Sequence, residues 1–399
     1  MYFQIFFAIL ALLIGVLAPR AKNLASMTGY GRKDWTAKNI ETCRPVHSDQ
    51  LFGCEDMHLH VDEDDRIMIL ACAASMQDRL DWFPAMGHVE RPKSGIKDKL
   101  YAWDLVTDKL TALSTGTWSE DFISHGIDVV STKNAREIAI YAINHLTTGS
   151  VIEKFTHQLG SASASHVKTF NDQSIVTTPN DIYVADEADD FFYTTNDHMF
   201  KTGLARQLET LLQFPTTHLA MHSNSQGGYR IVKSRLQNIN GLAGDRNGRI
   251  FMNHVNAWVS VYDHDQPGNV TLVQRIKLGH ASDNPSYSAE TGELLISGFP
   301  RALELADFAS HPHEATAASI VTRIDLSHLG SKFFGGGAGN VVQPPLDEFF
   351  LDPGTGTANM TTTTVVDKVG DAWYLTSVFG YSVVKCTGYS NTYETTSTF

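Results

Sequence analysis

Acidic and amide residues recur along the chain at intervals that would bring oxygen ligands together in a repeating fold. They are Glu55-Asp56, Asn180-Asp181, Asn240 and Asp283-Asn284. Residues 55 and 283 lie 228 positions apart, which is four steps averaging 57, and the skipped step falls near His125. Carboxylate and amide oxygens are the ligands of Ca²⁺, whereas zinc or copper would need histidine or cysteine. Any one of these residues alone is also typical of an ordinary turn, so the regular recurrence carries the calcium hypothesis.

Short apolar runs between turn signals predict the strands that would position these residues. The runs are 66–71, 137–143, 249–252, 294–297 and 372–376. Turn residues such as Asp245-Arg-Asn-Gly come before several of them, and no βαβ alternation is present, so the pattern indicates an all-β architecture. One ligand set per about 50–60 residues is the period of a four-stranded propeller blade, whose entering loop points into a shared channel. The predicted fold over residues 40–399 is a six-bladed β-propeller with calcium in its central channel.

One segment breaks the strand pattern and predicts a short amphipathic helix. Its apolar face comprises Leu204, Leu208, Leu211 and Leu212, between a glycine and a proline. A helix lying across one end of the channel would be a lid or a membrane contact over residues 204–212. A helix packed on the blade tops is the alternative.

Three further motifs partly match a phosphate loop, a nucleophile elbow and a zinc site, but each lacks a feature that its chemistry requires. Gly335-Gly-Gly-Ala-Gly has no helix after it, so it is interpreted as an inter-strand loop rather than a phosphate loop. Ser223-Asn-Ser-Gln-Gly lacks the first glycine of a nucleophile elbow. His58 and His60 have a spacing that can bind zinc, but without a Cys/His partner pattern a solvated strand face is favoured.

The net charge limits the possible binding partners, and the N-terminal residues indicate the cellular compartment. Asp and Glu outnumber Lys and Arg by 44 to 31, and a net charge of −13 disfavours nucleic acid. An apolar run from Ile5 to Leu17 is short for a membrane span. Residues 1–25 are therefore interpreted as a signal peptide or a retained anchor, with a buried helix as the alternative. Sequons at Asn269 and Asn359 and four cysteines fit a protein of the secretory pathway, secreted or membrane-anchored.

Several motifs, taken in order, resemble those of serum paraoxonases and arylesterases. They are Cys54-Glu-Asp-Met, Ser124-His-Gly-Ile, Pro179-Asn-Asp-Ile, Tyr193-Thr-Thr-Asn-Asp-His, Asn238-Ile-Asn-Gly and Asp283-Asn-Pro with Glu290-Thr-Gly-Glu-Leu. The resemblance covers roughly residues 40 to 390 with similar gaps. The wider strictosidine synthase-like propellers share the fold but generally not this full ligand set.

The resemblance implies two calcium ions and a histidine pair. The catalytic ion would be held by Glu55, Asn180, Asn240, Asp283 and Asn284. A deeper structural ion would be held by Asp56, Asp181 and the carbonyl of Ile127. In the family mechanism the residue at His125 activates water and the one at His145 tunes it, although a buried histidine at 145 is also typical of a core position.

The resemblance also bears on the cysteines, and the sequence departs from the family at two places. Relatives close the ring with a disulfide, which implies a Cys43–Cys386 bond between the first and last strands. Cys54 and Cys72 are either a second pair or free buried thiols, and free thiols are the favoured interpretation. Residues 75–97 lack the family's tyrosine-bearing pattern, and Phe299-Pro replaces a His-Pro. Both changes concern substrate contacts rather than metal ligands.

The sequence thus predicts a calcium-dependent hydrolase of small hydrophobic lactones or aryl esters. One alternative is a relative recruited to a biosynthetic pathway, where the channel binds a hydrophobic intermediate and steers a cyclisation or cycloaddition. Another is a non-catalytic propeller that binds lipid or protein through the 204–212 face.

Overall fold

Strands form wherever β-branched and aromatic residues alternate with turns. The fold is that of a computed structural model, which describes residues 15, 18, 20–22, 24–62, 65–89, 91, 94–118, 120–328 and 343–396. The strands are β1 (Cys43–Val46), β2 (Asp56–Asp62), β3 (Asp65–Cys72), β4 (Lys99–Asp104), β5 (Lys109–Ala112), β6 (Ser124–Ser131), β7 (Glu137–Leu146), β8 (Gly149–Gln158), β9 (Ala164–Phe170), β10 (Pro179–Asp186), β11 (Phe191–Asn196), β12 (Thr217–Ser223), β13 (Gly228–Leu236), β14 (Ile239–Gly244), β15 (Arg249–His254), β16 (Trp258–Gln266), β17 (Asn269–Lys277), β18 (Ala281–Ser288), β19 (Glu293–Phe299), β20 (Ser319–Asp325), β21 (Leu346–Asp352), β22 (Thr363–Asp367), β23 (Ala372–Thr376) and β24 (Val383–Thr387).

These strands form six four-stranded antiparallel sheets, which are the blades of a propeller. Blades 1 to 5 take four consecutive strands each, starting with β2, β6, β10, β14 and β18. Blade 6 is ordered β22-β23-β24-β1, so its outermost strand comes from the N-terminal end of the described fold. The innermost strands β2, β6, β10, β14, β18 and β22 contact one another around a closed ring. The predicted six-bladed β-propeller is therefore confirmed.

The ring is closed covalently as well as by hydrogen bonds. Cys43 on β1 lies opposite Cys386 on β24, and the two form a disulfide, as the family resemblance implied. Cys54 and Cys72 form a second disulfide between the start of β2 and the end of β3. The expectation of free thiols at these two positions is wrong, because the antiparallel pairing of β2 with β3 ends at Asp56–Ala71 and leaves Cys54 and Cys72 close together just beyond it. Two disulfides are typical of proteins from oxidising compartments.

Among the described residues, the blades carry the helices α1 (Met76–Asp81), α2 (Gly203–Leu212) and α3 (Glu304–Ser310). The second confirms the helix predicted from the leucine spacing. None of the helices in the described residues combines the length and apolar character that a membrane crossing requires. Most of the apolar run from Ile5 to Leu17 and the whole Gly335–Gly339 loop lie outside the described residues.

A buried apolar cluster covers one end of the propeller. It is built from the α1 segment, α3 and the loops of blades 5 and 6, and it includes Trp82, Phe83, Phe299, Phe308 and Phe379. Met27 and Leu24, from the N-terminal part of the described chain, pack against the same cluster. Large aromatic side chains therefore surround the end of the channel that holds the predicted site.

Candidate metal and histidine site

The five residues predicted to hold the catalytic ion, called here the entrance set, all lie where innermost strands begin. They are Glu55 just before β2, Asn180 in β10, Asn240 in β14, and Asp283 and Asn284 in β18. The Asn284 amide donates to Glu55 Oε1 at 2.7 Å, and the Asn240 side chain bonds to the Asp283 carboxylate. Four different blades thus bring these side chains to one end of the channel.

Four oxygens of the entrance set are buried without any hydrogen-bond partner. They are Glu55 Oε2, Asn180 Oδ1, Asn240 Oδ1 and Asn284 Oδ1. Buried acceptors are almost always paired, because desolvating an unpaired polar atom costs about 1–3 kcal/mol. Ca²⁺ is coordinated by carboxylate and amide oxygens, so the residues present here fit such an ion. No group of three or more His, Cys, Asp or Glu side chains in the described ranges is arranged to hold a metal.

Close approach of neighbouring blades requires glycine beside the ligands. A Cβ at Gly126 would lie 2.5 Å from Asp181 Oδ1, and one at Gly241 would lie 2.3 Å from Asn284 Oδ1. Both glycines directly follow predicted site residues in the chain, His125 and Asn240. Any side chain at either position would push a ligand out of place.

A second group of carboxylates, called the staple set, ties adjacent innermost strands together. Asp56 Oδ2 accepts a hydrogen bond from Ile127 N at 2.8 Å, and Asp181 Oδ2 accepts one from Leu242 N at 2.6 Å. Asp128, the third member, accepts one from the next strand in the same way. These oxygens of Asp56 and Asp181 are therefore already engaged, unlike the four unpartnered oxygens of the entrance set.

Burial and mutual repulsion raise the pKa values of the channel carboxyl groups. Burial raises the pKa of Asp56 to about 6, and burial together with Asp56 raises the pKa of Asp283 to about 8. Burial, and then the carboxylates of Asp56, Asp283 and Asp181, raise the pKa of Glu55 well above its ordinary value. A cation among these groups would remove the repulsion and favour their charged forms.

Two neutral histidines lie beside the entrance set. His125 Nδ1 and His145 Nε2 are 3.0 Å apart, and His145 Nδ1 is 2.9 Å from Ser150 Oγ. Burial lowers the pKa of His125 to about 3 and the pKa of His145 well below its usual range. His125 Nε2 lies 3.8 Å from Glu55 Oε1, so the outer end of this relay points to the predicted ion.

A cavity of about 420 Å³ lies at the other half of the channel, and Asp56, Ile127 and Asp181 are among the residues that line it. Glu55 and His125 do not line it. The residues predicted for the deeper ion are thus reached from the far side, and the histidine pair belongs to the opposite side.

Comparison with known proteins places this propeller among its relatives. The sequence profile described as Arylesterase matches residues 61–332, which is more than half of the chain. The chain belongs to the arylesterase family. It is 24% identical over 211 residues to serum paraoxonase/lactonase 3 of Oryctolagus cuniculus, covering 52% of this chain and 57% of that protein. It is 27% identical over 235 residues to serum paraoxonase/arylesterase 1 of Homo sapiens, covering 57% of this chain and 63% of that protein.

The chain therefore spans less than two thirds of the length of these curated relatives. Among solved structures, a functionally unknown protein from Desulfotomaculum acetoxidans is 8% identical with a TM-score of 0.40, covering 80% of this chain and 78% of that one.

The segment that carries α1 covers the histidine pair. It holds α1 and a 3₁₀ turn at Pro84–Met86. Trp82 Nε1 donates to the carbonyl of His145 at 2.8 Å, and the ring of Phe83 meets both histidine rings edge-on. Aromatic side chains of this segment thus form a wall beside the histidine pair.

Sequence reasoning missed two charged residues at this site. Asp197 follows β11 within the Asn-Asp-His motif, and its carboxylate is 3.4 Å from the Asn180 amide. Burial acts to raise the pKa of Asp197, but His198 and Arg206 hold it below its ordinary value. The Asn-Asp-His motif was the sequence signal that could have identified Asp197. No sequence signal identified Arg79, which is fully buried in α1, since a lone arginine in a loop is ordinarily exposed.

The two sequons differ in accessibility. Asn269 is exposed at the β16–β17 hairpin, and its amide donates to Asp265 at 2.7 Å. Asn359 is half-buried, and its Oδ1 accepts a hydrogen bond from Ala317 N at 3.2 Å. Of the two predicted glycosylation sites, Asn269 is the more open to modification.

Proposed function

We propose that this arylesterase-family chain is a calcium-dependent hydrolase of lactones and aryl esters. The observation that carries the proposal is the set of four buried, unpartnered oxygens beside the neutral His125. Glu55, Asn180, Asn240, Asp283 and Asn284 would hold the ion. Calcium bound there would supply Lewis acidity that polarises a carbonyl and stabilises its oxyanion. Two carboxylates and three amides nearly balance its charge.

We assign the activation of water to the histidine pair on its geometry. With the proton of His125 on Nδ1 and donated to His145 Nε2, His125 Nε2 carries the basic lone pair and lies 3.8 Å from Glu55 Oε1. When His125 Nε2 takes the proton of water, the hydrogen bond to His145 stabilises the resulting positive charge. His145 in turn donates from Nδ1 to Ser150 Oγ, which fixes its tautomer. All four cysteines are in disulfides, so water rather than a thiol is the nucleophile.

We assign the second, structural calcium to the deeper group of Asp56, Asp181 and the Ile127 carbonyl. The raised pKa values of Asp56 and Asp181 support this assignment, since burial and like charge both disfavour two ionised carboxylates without a counter-charge. Each carboxylate retains acceptor capacity beyond its backbone hydrogen bonds.

A panel of lactones, aryl esters and organophosphates, assayed with calcium and after chelation, tests this function. Turnover of lactones or aryl esters is expected only with calcium, and restored calcium should restore it. Activity that survives verified metal removal would contradict the proposal.

A second candidate function has its own observation. The aromatic cluster of Trp82, Phe83, Phe299, Phe308 and Phe379 over the channel end would suit a larger hydrophobic intermediate. A family member recruited to biosynthesis would then steer a cyclisation or cycloaddition without adding water. Its product would have the same composition as its substrate, which mass spectrometry distinguishes from hydrolysis.

We also propose that the α2 region contacts a membrane or lipid surface next to the site. Leu204 is 69% exposed and Leu208 42%, and Met199, Phe200 and Phe214 add exposed apolar surface beside them. The buried face of α2 points to the site, because Arg206 donates to the carbonyl of Ala85 in the segment that covers the histidines. A hydrophobic substrate could pass from such a surface to the channel entrance. With two disulfides, this supports a secreted or membrane-anchored protein of the secretory pathway.

A further inference from the structure

The side chain of Arg79 is completely buried in α1, although no part of the predicted chemistry uses it. Its guanidinium forms an ion pair with Asp98, 3.1 Å away, whose carboxylate is buried as well. Burial disfavours the charge of an arginine strongly, so a buried pair persists only with good geometry and additional hydrogen bonds. The additional hydrogen bonds indicate the role of this arginine.

Arg79 donates to two carbonyls, each next to a different part of the candidate site. One amino group donates to Ser124 O at 2.8 Å, and Ser124 directly precedes His125. The other donates to Gly53 O at 3.0 Å, two residues before Glu55. A single rigid fork therefore connects the start of β6 in blade 2 to the start of β2 in blade 1.

Asp98 also forms hydrogen bonds with Ser124, the residue before His125. Its Oδ2 accepts hydrogen bonds from Ser124 N at 2.8 Å and Ser124 Oγ at 2.9 Å, while its Oδ1 accepts one from Ala74 N at 2.9 Å. Ser124 thus bonds to both members of the ion pair, through its carbonyl to Arg79 and through its two donors to Asp98. The backbone that carries His125 is fixed by charge-assisted bonds on both sides.

An aromatic ring continues the connection to the histidines. The Arg79 guanidinium lies over the Phe83 ring, 4.4 Å from its centre. The edge of that ring meets His125 with centres 5.0 Å apart and His145 with centres 5.8 Å apart. Phe83 packs on the histidine pair, and the arginine packs on Phe83.

We propose that Arg79, with Asp98, is a positioning residue that sets the distance between the ion ligand Glu55 and the base His125. It lies in the α1 segment, which covers the histidine pair. The inference rests on the proposed function. Arg79 touches neither substrate nor ion and acts through the backbone at Gly53 and Ser124.

Replacing Arg79 by lysine tests the proposal, because an ammonium keeps the charge but cannot reach both carbonyls and Asp98 in fork geometry. The matched control is Arg323→Lys, since Arg323 is another buried arginine, paired with Asp347 and bonded to Thr392 in blade 5, away from the channel. Three quantities are measured in both variants and in the wild type: calcium affinity by chelator competition, kcat and KM on the best ester or lactone, and unfolding free energy.

For Arg79→Lys we expect calcium affinity and kcat each to fall about 10-fold to 100-fold, as for other residues that orient metal ligands. KM should change by less than about threefold, because the substrate contacts remain. Arg323→Lys should lose comparable stability with neither effect. An Arg79→Lys variant that behaves like Arg323→Lys would overturn the positioning role and leave only a structural ion pair.

Asp98→Asn provides a second route if Arg79→Lys does not fold. It keeps the arginine and removes the opposing charge, so it should move calcium affinity and kcat in the same direction by a smaller factor. Unchanged values for Asp98→Asn would contradict the proposal. A wild-type protein that binds calcium but hydrolyses nothing would defeat the hydrolase function alone, since calcium affinity would still decide the positioning role. A wild type that binds no calcium would overturn both.

Discussion

Neighbouring carboxylates in the channel are used in two different ways. Asp56 and Asp181 bind the backbone N–H groups of the next innermost strands, so their oxygens hold blades together. Glu55, which directly precedes Asp56, keeps a buried oxygen with no partner, as does Asn180, which directly precedes Asp181. Successive residues of a strand point to different sides, so one residue of each pair secures the ring and the other is left for a ligand.

This difference shows why stability and chemistry are separable in this propeller. The carboxylates of the staple set have backbone partners within the fold, whereas four oxygens of the entrance set have no partner. Substitutions in the two sets should therefore differ in whether they destabilise the protein when calcium is absent.

The largest effect is expected for His125→Gln. Loss of the base should lower kcat by a factor of about 10² to 10⁴, the usual contribution of general-base catalysis. Calcium affinity should stay unchanged, because His125 belongs to neither carboxylate set. His254→Gln, at another buried histidine with both ring nitrogens hydrogen-bonded in blade 4, is the matched control and should leave kcat unchanged. A fall in calcium affinity for His125→Gln would place that histidine among the ion's ligands.

Glu55→Gln and Asp56→Asn should differ most clearly when calcium has been removed. An ion at the entrance set, saturated at about 1,000 Kd, would stabilise the wild type by about 4 kcal/mol, and Glu55→Gln should lose most of this contribution while remaining as stable as the wild type in chelator. Asp56→Asn should be less stable by about 1–3 kcal/mol even in chelator, since its amide would face the Ile127 N–H. Thermal unfolding in both conditions measures this. Equal losses in chelator would remove the distinction between the sets.

The metal-free protein should lose stability as pH rises. The pKa values of about 6 for Asp56 and about 8 for Asp283 lie above those of an unfolded chain. A raised carboxyl pKa contributes stability that is full below the unfolded value and is lost as pH rises through the folded one. Unfolding of chelated protein between pH 5 and about 8 should show this decline, and calcium should flatten it. A chelated protein whose stability is constant over that range would contradict the burial of uncompensated carboxyl groups.

The smallest effect on stability is expected at the exposed face of α2. Leu208→Asp should change the unfolding free energy by less than about 0.5 kcal/mol, as is usual at exposed sites, and should weaken binding to lipid vesicles. Ile231→Asp is the control, because Ile231 is 47% exposed on β13 in blade 3. It should leave vesicle binding unchanged. A large loss of stability in Leu208→Asp would show that α2 is part of the core.

The fold was predictable because acidic and amide residues at the start of the innermost strands recur at the spacing of the blades. The same residues predicted which side chains come together, since a closed ring leaves them only one place to meet. The Cys54–Cys72 bond was not predictable, because pairing depends on the register of β2 with β3 rather than on spacing. The role of Arg79 was not predictable either, because it depends on which residues lie close in the fold. Arg79 donates to the backbone carbonyls of Gly53 and Ser124, and every residue has such a carbonyl.

The most direct test of the central claim is turnover of an aryl ester or lactone by chelated protein in ¹⁸O-labelled water, with calcium added in steps. The account predicts no product before calcium is added, and one labelled oxygen in each molecule of product acid afterwards, with a rate that follows occupancy of the site. Product without label, or product formed at the same rate before calcium is added, would contradict a calcium-dependent hydrolase at the channel entrance.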